Sequence, residues 1–383
     1  MNHRQHLFDF LAGARPGRTP FFPDLSKWYE HQRNGWDHLD ETVAPGALIP
    51  ADHPMHRRSG TLPGSLAGCD HVGLHRMLDV GMPVHGYHCF FRTMIDGVTV
   101  DRRVEEDGKR IVATWHTPKG ELVEVRERAH DGSFAHRKHL VEREEDLPQL
   151  LYIAGHLRYT ADYAKSEALL RAVGDAGYVN HIINRSPFGK LMLEYCGLEA
   201  LAGLMADAPE TMAEVLCAFA EADRPLWRLA VEAPGRMVFI ADNMDDQLYG
   251  ARWFERHCLP YYREITDLAH RHGKLVLAHL DGRLKNLFPF IPATGLDLLD
   301  GCSPAPMNDF TPAELAAALG AGQYAYCGVP ANLVASESPE RCADFARGII
   351  EAGGGRFVLN IGDIMPAGAP LATIERLREV CAG

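Results

Sequence analysis

The chain has no C-x-x-C pair among its nine cysteines. Thiolates at that spacing build ribbon and finger zinc sites, so the sequence argues against one. Cys69, Cys89, Cys196, Cys217, Cys258, Cys302, Cys327, Cys342 and Cys381 are odd in number and scattered. That suits a reducing compartment, with thiols serving as small buried hydrophobes. No apolar run reaches the length of a membrane span, and the opening MNHRQHLFDFLAGARPGR lacks the apolar core of a signal peptide. The expected location is therefore the cytoplasm. Basic runs are also missing, and the net charge is −12, which argues against nucleic-acid binding but allows a local basic pocket for an anion. No G-x-G-x-x-G or Walker loop follows an apolar run, and Gly353-Gly354-Gly355 precedes one instead. This counts against the nucleotide-binding open-sheet folds.

What is present is ordinary globular material, 46% hydrophobic and 23% charged over 383 residues. That suffices for one large α/β domain or two smaller ones. Residues 2–14 read as an amphipathic helix carrying Leu7, Phe8, Phe10 and Leu11 on one side, broken by Gly17-Arg18-Thr19-Pro20. Phe21 to Trp28 reads as a first strand and its exit, with Asp24 and Lys27 in a surface loop. Residues 41–81 form a long irregular segment in which His53, His56, His71 and His75 lack metal-ligand spacing. From 85 to 141 the pattern alternates, with turn signals at Asp107-Gly108, Pro118-Lys119-Gly120 and Asp131-Gly132. The expectation is an antiparallel β meander inserted into the main fold, with no evident catalytic residue.

Helices are expected over 161–174, 190–205 and 208–233. Short apolar strands follow at Met237–Ala241, Leu275–Asp281, Leu296–Leu299, Tyr324–Gly328 and Arg356–Gly362, with helices at 251–272, 284–293, 313–319, 339–352 and 370–380. Repeated strand–helix units imply a parallel sheet. An eight-stranded β/α barrel of the TIM type is the best fit, and a doubly wound open sheet is the alternative. Strand C-termini in a barrel converge on one mouth. They would gather Asp242, Asn243 and Asp245 from one strand, and His279 and Asp281 from the next. Cys302 and Asp309 would follow the third strand, and Asp363 the last. Alternate strand residues face the same way, so His279 and Asp281 project together. Such a group can bind a divalent metal, act as acid and base, or hold a polar heterocycle. The competing readings are helix capping by Asp242-Asn243 and a turn cap by Asp363.

A series of segments in order from about Ser186 to Val380 resembles the uroporphyrinogen decarboxylase superfamily, most closely its cobamide-dependent methyltransferase branch. They are SPFGKLMLEYCG, APETM, ADNMDDQLYGARWFERHCLPYYREI, LVLAHLDG, TGLDLLDGCSPAPMND, YAYCGVP and FVLNIGDIMPAGAPLATIERL. The N-terminal half matches loosely, through LFDFLAGARPGRTPFF and HTPKGEL. The resemblance implies that residues 1–383 form one distorted β/α barrel domain containing the 85–141 insertion. Where porphyrinogen decarboxylases carry an arginine-rich segment after the first strand, this chain reads PFFPDLSKWYEHQ, which argues against a porphyrinogen substrate. Methylcobamide:thiol methyltransferases of the family hold zinc with His-x-Cys-Gly and a later Gly-Cys. Here those places read His279-Leu280-Asp281-Gly282 and Gly362-Asp363. The histidine carries over and both thiolates become aspartates. The resemblance thus implies either a harder divalent site, zinc or another metal, on His279, Asp281 and Asp363, or a metal-free site.

The function expected on this basis is methyl transfer between a small molecule and cobalamin. No D-x-H-x-x-G stretch is present, so a partner corrinoid protein would carry the cobalamin. A methoxy or N-methyl compound, or tetrahydrofolate, would be the other participant. His279, Asp281 and Asp242 are the expected catalytic residues, and Asn243, Asp245, Asp363, Cys302 and Asp309 the expected substrate contacts. The alternatives are a metal-independent decarboxylase or lyase of a small acid, with His279 as proton donor, and a non-catalytic ligand-binding protein on the same scaffold.

Overall fold

A computed structural model describes residues 1–15, 17–34, 47–49, 62, 64–129 and 134–383. His53, His56 and the Asp131-Gly132 turn lie outside the described residues. Thirteen strands follow in chain order: β1 Met82–Gly86, β2 Phe91–Ile95, β3 Thr99–Glu105, β4 Arg110–Thr117, β5 Gly120–Arg128, β6 Phe134–Lys138 and β7 Leu157–Ala161, then β8 Gly177–Ile183, β9 Met237–Ile240, β10 Leu275–His279, β11 Leu298–Cys302, β12 Tyr324–Val329 and β13 Phe357–Ile361. β1 and β8–β13 form a seven-stranded sheet, parallel throughout. The gap between β13 and β1 is filled by Pro20–Phe22. Phe22 N donates to Leu359 O (2.9 Å), Leu359 N to Pro20 O (2.9 Å), and Gly81 N to Phe21 O (2.9 Å). The eighth stave is a single parallel bridge, Phe21 to Leu359, and it closes a β/α barrel.

The expected first strand is therefore shorter than Phe21–Trp28, because Ser26–Asn34 is helical. Asp24 Oδ1 accepts from Ser26 N (2.8 Å) at that helix's entrance, an Asx turn that competes with continued strand. The helix expected over 284–293 is reduced to a 3₁₀ segment, Phe288–Thr294, since Pro289 and Pro292 remove the amide donors an α-helix needs. The helix expected over 190–205 is interrupted at Gly197, whose φ is +76°. Elsewhere the strand–helix alternation from 237 onward holds to within a few residues.

Strand parity sorts the side chains into two layers. Tyr178, Phe239, Leu277, Leu298, Tyr326 and Val358 point into the barrel, and Leu7, Phe8 and Phe10 of the first helix (His3–Leu11) pack into the same cluster. Val238, Ile240, Val276, Ala278, Leu299 and Leu359 face outward against the helices. Burying each large apolar side chain contributes about 1.5–3 kcal/mol, so both layers hold the ring closed. The insertion is larger than 85–141. β3–β6 form the antiparallel meander, and β2 pairs with β7 in a separate ribbon that reaches Ala161. His85, inside the range expected for the insertion, belongs to barrel strand β1.

Candidate active site

The site lies at the C-terminal ends of the barrel strands. His279 ends β10, is 8% exposed and points inward two residues beyond Leu277. Its Nδ1 lies 2.8 Å from Asp300 Oδ2, on the neighbouring strand β11 and in register with it. Its Nε2 lies 3.5 Å from Asp281 Oδ2 and 3.7 Å from Asp363 Oδ1. Gly301 permits this approach: its φ is +79°, and a Cβ there would stand 2.8 Å from His279 Cε1. Burial alone would lower the imidazole pKa. Hydrogen bonds to Asp281 and Asp300, with the charge of Asp363, outweigh it and hold the group well above its ordinary value. The protonated form of His279 is thereby favoured.

That cation governs its neighbours. Burial raises Asp281, but the His279 partnership brings it below the usual carboxylate range. Asp363 is pushed up to about 6, mainly by desolvation, with relief from His279 and added repulsion from Asp300, Asp24 and Asp281. Desolvation also raises Asp24, against hydrogen bonds from Ser26. The cluster thus combines an imidazole biased toward its protonated form, a carboxyl, Asp281, biased toward its ionised form, and a second carboxyl, Asp363, pushed up to about 6.

Above it is a cavity of about 200 Å³, lined by Asp24, His85, Tyr87, Arg185, Phe239, Ala241, Asn243, His279, Asp363 and Ile364. A smaller recess reaches down to Asp300, Tyr326 and Asn360. Asn360 Oδ1 is buried there without a hydrogen-bond partner among the described residues. Arg185 forms one rim. It donates to Asn243 Oδ1 (2.6 Å), to the Ala241 carbonyl and to Glu194 Oε1 (3.2 Å). Asn243, in the left-handed region at φ +50°, passes the chain of contacts on to Asp281 Oδ2 (3.2 Å).

The structure brings together His279, Asp281, Asp363 and Asn243 of the expected residues. The other four lie elsewhere. Asp242 continues the outward parity of Val238 and Ile240, is fully buried, and accepts from Ser186 N (2.8 Å), Ser186 Oγ (3.0 Å) and Tyr262 OH (2.9 Å). It braces the start of the helix at Pro187 from behind the mouth and does not line the cavity. Asp245 caps the short helix Asp246–Tyr249 and accepts from Gln247 N (2.7 Å) and Arg283 N (3.0 Å). Asp309 accepts from Leu284 N (3.2 Å) and ties down a loop. Cys302 is fully buried in the outward layer, because a register shift at Gly301 turns it toward the helices. Asp24, His85, Tyr87, Arg185 and Asp300 join the site although the sequence reading did not select them. Asp300 carries a signal, as an acidic residue directly after the apolar run Leu296–Leu299 and inside a strand that continues to Cys302. Arg185 and Asp24 carried none without the fold.

As a metal site the donors do not fit. Among the described residues no group of three or more His, Cys, Asp or Glu side chains is arranged to hold an ion. His71 and His75 are core residues: His71 stacks on Tyr29 at 5.3 Å between centroids, and His75 Nδ1 meets Gly81 O at 3.0 Å.

Fold and site together define a β/α-barrel protein with an acid–base cluster at its strand C-termini, the end where such barrels carry their chemistry. The model of the uroporphyrinogen decarboxylase family matches residues 186–383, just over half of the chain. The chain belongs to the uroporphyrinogen decarboxylase family. Among solved structures it is similar to a methyltransferase from Methanosarcina mazei, at 12% identity and a TM-score of 0.59, covering 99% of this chain and 98% of the other. That likeness extends the shared fold over the N-terminal half. A B12-independent methionine synthase from Shewanella sp. W3-18-1 aligns at 11% identity over 96% of each chain, with a TM-score of 0.41. No curated protein matches the chain. No helix among the described residues is long and apolar enough to cross a membrane.

Proposed function

We infer that the protein is a methyltransferase, moving a methyl group between a small molecule in the barrel cavity and a cobamide carried by a partner corrinoid protein. One observation carries the reading. The two aspartates that replace the thiolates of the family's zinc motif, Asp281 and Asp363, converge on Nε2 of the retained histidine, at 3.5 and 3.7 Å. The altered motif therefore still converges on one histidine nitrogen, and this supports a proton-centred reading of it.

Breaking a C–O or C–N bond to a methyl group needs the leaving atom to be protonated as the bond breaks. His279 presents a proton from Nε2, and Asp300 holds the ring from its other nitrogen (2.8 Å). Asp363, titrating at about 6, is the second proton store. The methyl group goes to the nucleophile, the proton to the departing oxygen or nitrogen, and the bonding pair stays with that atom. Phe239, Ala241 and Ile364 supply the apolar wall against which a methyl group would rest. A cavity of about 200 Å³ is too small to enclose a corrin ring, so a cobamide would have to cover the mouth from outside. When bound there it supplies a cobalt that accepts or gives a methyl group. Tetrahydrofolate belongs to the same proposal as a methyl participant reaching the mouth.

The test is spectrophotometric. Purified protein is mixed with cob(I)alamin and a panel of methoxy and N-methyl compounds, or with methylcobalamin and tetrahydrofolate, and the cobalamin spectrum is followed. Methyl transfer that drops at least a hundredfold in Asp363→Asn is expected. No spectral change with any compound, in either direction, would refute the reading. A second reading, decarboxylation of a small acid, draws on Arg185, a guanidinium that lines the same cavity as His279 and Asp363. Release of CO₂ from a small acid without cobalamin would select it.

A further inference from the structure

A second and larger cavity, of about 620 Å³, lies between the inserted sheets and the barrel. Its floor comes from Asn184, Lys190, Glu194 and Tyr195, and its roof from Arg102, Trp115, Glu124, Arg126 and His136 of β3–β6, with Tyr159 of β7 at the side. The floor is rigidly built. Asp223, wholly buried, accepts from Lys190 Nζ (3.0 and 3.2 Å), Asn184 Nδ2 (2.7 Å), Tyr261 OH (3.2 Å) and Tyr159 OH (3.3 Å). Three of those donors line the cavity. A buried charge pair satisfied this fully is preorganised, and it puts no entropy cost on whatever lies above it.

The lining has a distinct chemical bias. Each acid is already matched: Glu124, 4% exposed, accepts from Arg126 (3.0 Å), and Glu194 from Arg185 (3.2 Å). Arg102 makes no ion pair among the described residues, so it is the charge left over. The N–H of Trp115 is buried with no partner among the described residues. Unspent capacity in this cavity therefore consists of the Trp115 N–H, one positive charge and His136 Nδ1, also buried without a partner among the described residues, and its walls are the rings of Trp115, Tyr159, Tyr195 and His136. An unpaired indole N–H, a guanidinium outside any ion pair among the described residues and aromatic walls call for a flat anion. The size is that of a drug-sized ligand.

We propose that this cavity is a second binding site, for a planar aromatic or heteroaromatic carboxylate, with the carboxylate on Arg102 and the ring between Trp115 and Tyr159. The proposal does not depend on the methyl-transfer reading. The site also adjoins the first: Asn184 and Glu194 line the larger cavity, while Arg185, the next residue and the ion-pair partner of Glu194, lines the smaller. An occupant of the outer site thus sits one ion pair from the acid–base cluster.

The probe is 2-naphthoate, with neutral 2-naphthamide as its control, added to the full chain and followed by equilibrium dialysis and tryptophan fluorescence. Saturable 2-naphthoate binding at roughly 1 mM or tighter is expected for a ligand of this size, and the amide should bind at least tenfold more weakly. Arg102→Gln, at an exposed residue with no side-chain hydrogen bond or ion pair among the described residues, should weaken the carboxylate about tenfold and leave the amide unaffected. Trp115→Phe should remove most of the fluorescence response. Three results would overturn the proposal: no saturable binding at 10 mM, equal binding of acid and amide, or weakening by His279→Gln but not by Arg102→Gln. The last would place the molecule in the barrel cavity instead.

Discussion

Replacing Asp300 by Asn tests the core of the site with minimal change of shape. The amide oxygen can still accept from His279 Nδ1, now 2.8 Å from Asp300 Oδ2, but the negative charge is gone. A hydrogen bond to a charged group contributes about 1.5–3 kcal/mol, and 1.36 kcal/mol corresponds to one pKa unit. The His279 pKa should therefore fall by roughly 1–2 units. The assay is an NMR titration of ¹³C,¹⁵N-labelled histidine in wild type and Asp300→Asn, with His279 assigned by its own substitution. The sign for stability follows. His279 is raised in the folded state, so its contribution is present in full below its unfolded pKa and is lost as pH rises through the folded pKa. The stability difference between wild type and Asp300→Asn should thus be largest below about pH 6.5 and shrink at higher pH. If the His279 pKa moves by less than about 0.3 units, the ordinary scatter of additivity, Asp300 does not hold the proton and the imidazolium account fails.

Other consequences are checked more briefly. Asp242→Ala leaves three buried donors unpaired, at about 1–3 kcal/mol each, so urea unfolding should show a loss of at least ~3 kcal/mol. A large loss of activity without loss of stability would instead return Asp242 to the chemistry. Lys190→Ala strands the carboxylate of Asp223 and should cost about 3–5 kcal/mol, with much of it recovered in Lys190→Met/Asp223→Leu; unfolding midpoints of the single and double variants decide this. Cys302→Ala should leave turnover within about twofold, since the thiol faces the helices, at a packing cost of about 1 kcal/mol. Elemental analysis should find no stoichiometric, tightly held transition metal on His279, and finding one would overturn the proton-centred account of the cluster.

Much of the barrel could be read from local pattern. Short apolar strands separated by amphipathic helices have few ways to bury both faces, and β9 to β13 appear within a few residues of where periodicity put them. His279 and Asp281 were legible for the same reason: alternation on a strand whose end is marked by Gly282 points both toward the mouth. Asp363 was legible only through the altered motif, because nothing local separates it from a turn cap. Parity applied strictly would also have turned Asp242 outward, where its three donors hold it.

What the chain alone determined, then, is the class of the fold and the strand ends at which His279, Asp281 and Asp363 gather. Tertiary structure decided the rest. Asp24 follows the first stave, Arg185 follows β8, Asp300 lies in β11 and Asp363 follows β13, and no spacing in sequence relates them. Ring closure through Phe21 and Leu359 brings the first and last staves together and so places Asp24 and Asp363 in one cavity. The elevation of Asp363 to about 6 follows from that closure, because burial desolvates the carboxyl and Asp300, Asp24 and Asp281 add repulsion.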